Sequence, residues 1–477
     1  MSEKSASESS ARTFGSTGAA GCSQSRPPRS ARPGNRPSRL LVLAGVTAAL
    51  LAGCASSDEG LSVAAIQDLN PFAEKQVPLP GKRVAVLPRD NKVGELASAE
   101  RPIVLPQEHS NDSWSQPGGS ANNAPGHLVA PAAMKTAWSA DIGAGSSGRN
   151  KLTASPIVFD NRVYTLDAEG RVSAFAVAGG SQAWRVSTMP QGRKEREGFG
   201  GGLAAENGRI YAATGYGTVV ALDAASGKQV WEKTLSTPIR TSPTVANGKV
   251  FIRTSEGRLY CLSGADGSEV WNLRGLPEET SLLNNVSPAV EGDIVVVPYS
   301  TGEMVAVDIA KGQLVWTESL ARQKSNSSLG SLSDVGRPAI DGGLVFAVGH
   351  AGRAIASSVK TGERMWTIDI PGIQQPWVAG DTIFMVDITG QLSAVARADG
   401  KTRWTAKLPG GKSWSGPVLA SNRLWLTSDT GKLVGVDAAT GKVANSIDLG
   451  GPILIAPVVA QGRMYVLNDK ARLFALN

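Results

Sequence analysis

His109, His127 and His350 are the only histidines among 477 residues. Imidazole is the side chain best suited to proton transfer near neutral pH and to binding transition metals. No H-x-x-H pair and no Cys/His group at ligand spacing is present, so no metal site is expected. No Gly-x-x-x-x-Gly-Lys-Ser/Thr phosphate loop is present. The stretch Gly198-Phe199-Gly200-Gly201-Gly202 reads as a turn between structural units, and Arg193-Lys194-Glu195-Arg196-Glu197 as a solvated loop. The expectation is a protein without catalytic residues, metal or cofactor.

One cysteine is set for chemistry of another kind. Arg26, Arg29, Arg32, Arg36 and Arg39 precede an apolar run from Leu40 to Ala52, shorter than the roughly 20 residues of a permanent membrane span. The run ends in Leu51-Ala52-Gly53-Cys54, which resembles a bacterial lipobox, where cleavage before the cysteine follows attachment of diacylglycerol to its sulfur. Residues 1–53 are read as a lipoprotein signal peptide and Cys54 as the lipidation site. Ala55 in place of Asp favours, by resemblance to sorted lipoproteins, the periplasmic face of the outer membrane. More than one acyl chain gives stable anchoring. Removal of the leader takes seven of the 48 Lys/Arg and two of the 41 Asp/Glu. The remainder is close to neutral, and no nucleic-acid footprint is left. Cys22 goes with the leader and Cys261 stands alone in an apolar run, so no internal disulfide is expected and Cys261 reads as a small buried residue. Residues 54–127, interrupted by Pro71, Pro78, Pro80, Pro88, Pro102, Pro106, Pro117 and Pro125, read as a Pro-rich tether.

The elements that organise the rest repeat along the chain. Pro156/Trp184, Pro243/Trp271, Pro288/Trp316, Pro338/Trp366 and Pro376/Trp404 are each 28 residues apart. Pro417/Asn445 keeps the spacing with Asn in the tryptophan slot, and Leu203/Trp231 keeps it without the proline. Within each unit, short β-branched and aromatic runs are cut by Asn-Gly, Glu-Gly or Asp-Gly, the dipeptides of tight hairpins. A Gly-x-x-x-Trp motif closes six units, at Gly180, Gly227, Gly267, Gly312, Gly362 and Gly400. Asp223, Asp308 and Asp437 stand four residues before the glycines of their turns, where a carboxylate holds the turn backbone. Four strands make a meander that must stack on a neighbour to bury its faces, and the spacing is that of propeller blades. An eighth unit begins at Pro457 and lacks its outer strand, which the segment around Met134–Ala140, with Trp138, supplies. The predicted fold is all-β: an eight-bladed β-propeller over residues 128–477, the last blade built from both ends of the sequence. The connection Ala321–Arg337 is longer than a hairpin needs and reads as a partner contact.

The repeat Ala-x-Asp-x-x-x-Gly-x-x-x-Trp resembles that of the pyrroloquinoline-quinone-like (PQQ-like) propellers, a family shared by quinoprotein dehydrogenases and by the BamB lipoproteins of the outer-membrane β-barrel assembly (BAM) machinery. The segment from Trp114 to His127 is also similar to BamB chains. The dehydrogenase resemblance would imply adjacent cysteines and a Glu/Asn/Asp calcium or lanthanide site, and neither is evident in the sequence, so a PQQ-dependent enzyme is the alternative reading. The BamB resemblance implies a non-catalytic scaffold whose partners are the POTRA domains of a BamA-type insertase, with unfolded β-barrel proteins as further clients. In that family two neighbouring inter-blade loops make the contact. Their counterparts here are Thr280-Ser281-Leu282-Leu283-Asn284, with Leu283 in an arginine position, and Leu332-Ser333-Asp334-Val335-Gly336, followed by Arg337. The resemblance thus points to Leu282, Leu283, Asp334 and Arg337 as partner-binding residues.

Overall fold

The computed structural model describes residues 102–148, 150–194, 197–235, 237–275, 285–321 and 334–477. The signal segment, residues 54–101 of the tether with Cys54, and Leu282 and Leu283 lie outside the described residues.

Eight four-stranded antiparallel sheets follow one another. Blades 1 to 7 span residues 157–187, 201–234, 244–274, 289–319, 339–368, 377–407 and 414–448. Blade 8 takes three strands from 458–476 and its outermost strand from Thr136–Asp141, which pairs antiparallel with Arg472–Leu476 and sets Trp138 opposite Ala475. The predicted closure from both ends of the sequence is therefore present. Hairpin chemistry follows the dipeptides: Asn247 and Gly248 adopt φ of 54° and 70°, the left-handed pair that a type I′ turn requires. The Gly198–Gly202 stretch is partly strand, since Gly201 and Gly202 open blade 2. A Cβ on Gly202 would lie 2.0 Å from Ser242 Oγ at the entry to blade 3, so these glycines permit close approach between blades.

One contact recurs at seven of the eight blade junctions. The closing tryptophan of each blade lies flat against the turn glycine of the next: Trp138 on Gly180, Trp184 on Gly227, Trp231 on Gly267, Trp271 on Gly312, Trp316 on Gly362, Trp366 on Gly400 and Trp404 on Gly441. Each glycine has φ between 67° and 73°. Each indole Nε1–H donates to a carbonyl at the same turn, at 2.8–3.1 Å, as in Trp231 to Gly264 O and Trp316 to Val359 O. A small residue sits across the sheet from each indole. It is Ala174, Ala221, Ala306, Ala356, Ala394 or Ala475, and Cys261 opposite Trp271. Cys261 is thus a small buried group, as expected, and burial pushes its thiol up to about 12. The turn aspartates behave as expected too: Asp223, Asp308 and Asp437 accept the N–H of the third residue on, at 2.8 Å.

Blade 7 departs from the pattern for a structural reason. Asn445 stands opposite Gly435, and the bulk moves to Trp425, fully buried over Gly435. The outermost strand of blade 8 comes from Thr136–Asp141, so no glycine turn follows residue 476 in that sheet to receive an indole.

Residues 102–127 correct the tether reading, because this part of the segment is built into the ring. Trp114 is buried and stacks on Trp377 with centroids 6.3 Å apart. The strap 109–128 bonds the inner strand of every blade. Trp114 exchanges N–H···O bonds with Val158, Ser115 O accepts from Ala205, and the Gln116 side chain exchanges two bonds with Val245. Ala121 O and Asn122 O accept from Val290 and Ile340, Gly126 O accepts from the Trp377 indole, Leu128 N–H donates to Leu419 O, and Asn111 Nδ2 donates to Val459 O. Seven of these partners occupy one register position, two residues after the repeat proline or its Leu203 equivalent. Inner strands leave one backbone edge facing the channel, and a buried unpaired amide costs about 1–3 kcal/mol. The strap satisfies those edges from residue to residue. Its proline and asparagine content suits a path that turns at nearly every step, which resembles the composition of a spacer. His127 is part of the same fixture: its Nδ1 lies 2.7 Å from Pro106 O, and its Nε2 accepts from Asn422 N–H at 3.0 Å.

Three substitutions, one of them a control, test these contacts. Gly312→Ala places a Cβ 2.7 Å from the Trp271 ring, whereas Gly292→Ala, also at positive φ, meets nothing within 4 Å. Both carry the left-handed penalty of about 1–2 kcal/mol, and Gly312→Ala loses a further ~1–3 kcal/mol to overpacking; urea unfolding of the pair measures the difference. Trp114→Ala is expected to lower the unfolding free energy by about 3–5 kcal/mol in the same assay, an outcome that a loosely attached spacer would not give.

Candidate functional site: two loop bases and the channel mouth

In a four-stranded meander the link from outer strand to next inner strand always emerges on the same face. The two candidate loops are such links, one joining blade 3 to blade 4 and the other blade 4 to blade 5. Their described ends flank blade 4 on one face, and the strap crosses the opposite mouth, beside the hairpins at Ser421 and Gln461.

The described loop bases are firmly held. Leu320 is buried at the start of the second loop. At its end, Asp334 is 6% exposed and its carbonyl accepts from His350 N–H at 2.9 Å. Val335 N–H donates to Tyr299 O at 3.3 Å, joining this base to blade 4. The Asp334 side chain therefore sits at the foot of the loop, where it can fix the loop's exit; that degree of burial leaves it little surface to offer a partner.

Arg337 is turned into the ring. Its Nε donates to Ser287 Oγ at 2.9 Å and its Nη2 to Asn285 O at 2.8 Å, both at the base of the first loop. Its Nη1 reaches Gln375 Oε1 at 3.2 Å in the link to blade 6 and Pro117 O at 3.4 Å in the strap. Burial pulls the guanidinium down to about 10, still charged at neutral pH. Arg337 thus ties the bases of the two loops to each other and to the strap. The family resemblance points to it as a partner-binding residue; its position next to Gly336, which packs against Ile373 O, directs it inward.

Asn285 has no sequence signal and proves central. Its Nδ2 donates to Thr153 O and Gly201 O, and its Oδ1 accepts the N–H and the hydroxyl of Ser242, both at 2.7 Å. One amide therefore links the inner ends of blades 1, 2 and 3 to the blade 4 entry. Beside it lies a channel cavity of about 290 Å³, floored by Pro117 and walled by Lys151, Leu152, Arg337, Gln375, Ile455 and Asp469, among others. Burial raises the Asp469 pKa, opposed by Ser146 and Lys151.

A calcium-held quinone needs several carboxylate or carboxamide oxygens around the ion. The cavity offers a single carboxylate, and no group of three or more His, Cys, Asp or Glu among the described residues is placed to hold a metal. The Asn285 amide is already committed to four partners. The donor set does not fit such a cofactor.

Comparison with known proteins agrees with the architecture. The chain is 36% identical over 203 residues to outer membrane protein assembly factor BamB of Escherichia coli, covering 42% of this chain and 52% of the relative. It spans about half the length of the curated relatives it matches. The crystal structure of BamB from Moraxella catarrhalis superposes with a TM-score of 0.61 at 18% identity, over 71% of this chain and 99% of that one. A quinohemoprotein alcohol dehydrogenase from Comamonas testosteroni reaches the same score at 14% identity, over 76% and 80%, so the superpositions establish the fold alone. The family model described as outer membrane protein assembly factor BamB matches residues 168–406 and 388–477, well over half the sequence, and the chain belongs to that family.

Proposed function

We propose that this chain is a non-catalytic scaffold lipoprotein of the outer-membrane β-barrel assembly complex. In this reading lipid on Cys54 holds it at the periplasmic face of the outer membrane, and the residues between Cys54 and the strap give it reach. The loops 276–284 and 322–333 dock on the POTRA domains of a BamA-type insertase, with Leu282 and Leu283 as apolar anchors. Asp334 and Arg337 act from beneath, fixing the loop bases. Unfolded β-barrel proteins are the clients whose insertion it assists.

The observation that carries this reading is the Arg337 tie. Two loops on adjacent links, each of little use alone, have bases joined through Asn285 and Ser287 at 2.8 and 2.9 Å. A surface assembled from two loops binds well when its ordering cost is met before binding. A buried apolar anchor ringed by polar groups is the usual energetic centre of such an interface. Family membership supports the same conclusion.

Leu282→Glu is expected to lower insertase recovery at least tenfold when the tagged protein is pulled from detergent-solubilised envelopes, because central apolar anchors are worth about 2 kcal/mol or more. Its thermal unfolding should match the parent. Equal recovery with the variant removes Leu282 from the interface; absence of the insertase with the parent protein removes the scaffold reading itself.

A further inference from the structure

The channel cavity contains a charge that no carboxylate among the described residues neutralises. Of the five guanidinium N–H donors of Arg337, four reach acceptors, and all four acceptors are neutral: Ser287 Oγ, Asn285 O, Gln375 Oε1 and Pro117 O. The fifth, on Nη2, has no acceptor among the described residues, and Arg337 forms no ion pair with a described carboxylate. Buried cations in folded proteins are almost always paired, because removing the ion from water without a counter-charge costs several kcal/mol. The tie between the loop bases explains the hydrogen bonds and does not explain the choice of arginine. A neutral glutamine amide would donate to neutral acceptors with less desolvation.

The surroundings point to what would supply the missing charge. Arg337 borders the cavity of about 290 Å³, a size at the lower edge of small-molecule sites. The lining is mainly apolar, with Leu152, Val286, Ile373, Ile455 and Ala456 contributing. Lys151 adds a second cation at the rim. The one lining carboxylate, Asp469, has its pKa raised by burial and forms no ion pair with Arg337. The strap closes the far end, since Pro117 forms the floor, so the cavity belongs to the face that carries the two loops.

We infer that the channel cavity is a binding site for a small organic carboxylate with an apolar body, its carboxylate on Arg337 and Lys151 and its body against Leu152 and Ile455. The guanidinium presents its unused Nη2–H to one carboxylate oxygen, and charge-assisted bonds of this kind are about twice as strong as neutral ones. The site is independent of whether the loops bind an insertase, since every group that forms it lies inside the ring or its strap.

Benzoate and its neutral isostere benzamide are the probes. The full-length protein in detergent is titrated with each by isothermal calorimetry and ligand-observed NMR. Benzoate is expected to bind saturably and benzamide about tenfold or more weakly, the discrimination of a buried charged donor. Lys151→Gln, a change at an exposed position, should weaken benzoate several-fold. Ala456→Phe, which fills the cavity, should abolish binding while thermal unfolding stays within a few degrees of the parent. Asp469→Asn should tighten binding by removing a competing negative charge. The proposal is overturned if benzamide binds as well as benzoate, if neither binds at about 20 mM, or if benzoate affinity is unchanged in both Lys151→Gln and Ala456→Phe.

Discussion

The ring stands on one contact made seven times: an indole lying on the left-handed glycine of the next blade, with its N–H on a carbonyl of the same turn. Each partner constrains the other. A Cβ on the glycine would sit 2.4–3.0 Å from the indole, so the glycine is required twice, for its backbone and for its emptiness. The indole lies over a residue no larger than alanine or cysteine in its own sheet. An edge-tilted Tyr or Phe from the second strand of the same blade completes the setting in six blades, with centroids 5.7–6.2 Å apart. Each contact joins two sheets that could not bury their faces separately, and the sum defines a closed ring with channel and loops at fixed places.

The eighth junction needs a different solution, and two features provide it. The blade that accepts strands from both ends of the sequence offers no glycine turn, and its neighbour accordingly presents Asn445 in the tryptophan slot. The strap adds an independent brace, making hydrogen bonds to all eight inner strands. Its Trp114 lies between blade 1 and blade 6, bonded to Val158 and stacked on Trp377. A ring with one weaker junction is thus bound from within by a segment that touches every sheet.

The sequence reveals most of the ring, because its interactions are local and periodic. Proline, glycine and tryptophan recur at fixed intervals, and Trp138 could be assigned to the last blade by its context alone. The strap was not legible beyond its likeness to related chains. It forms no regular element, its partners are mostly backbone groups scattered over some 300 residues, and its Pro, Asn, Gly and Ser content is that of a spacer. The candidate site divides along the same line. The two loops stand out by length and by family pattern. The inward course of Arg337 and the fourfold role of Asn285 depend on where the links of six blades converge, and no spacing along the chain records that. Asp334 falls between: its position was evident, its 6% exposure was not.

The last sheet also has a bearing on how the molecule comes into being. Residues 136–141 emerge from the ribosome more than 300 residues ahead of 472–476, yet they pair side by side. Seven sheets can form as they emerge, each on its predecessor, while this early strand and its Trp138 wait without a partner in their own sheet. Pairings of such high sequence separation are slow, since loop closure precedes any gain from the contact. An exposed, partly apolar strand awaiting its partner is a template for the wrong one. Biogenesis of the ring is therefore most vulnerable late, between completion of the seventh sheet and arrival of the final strand.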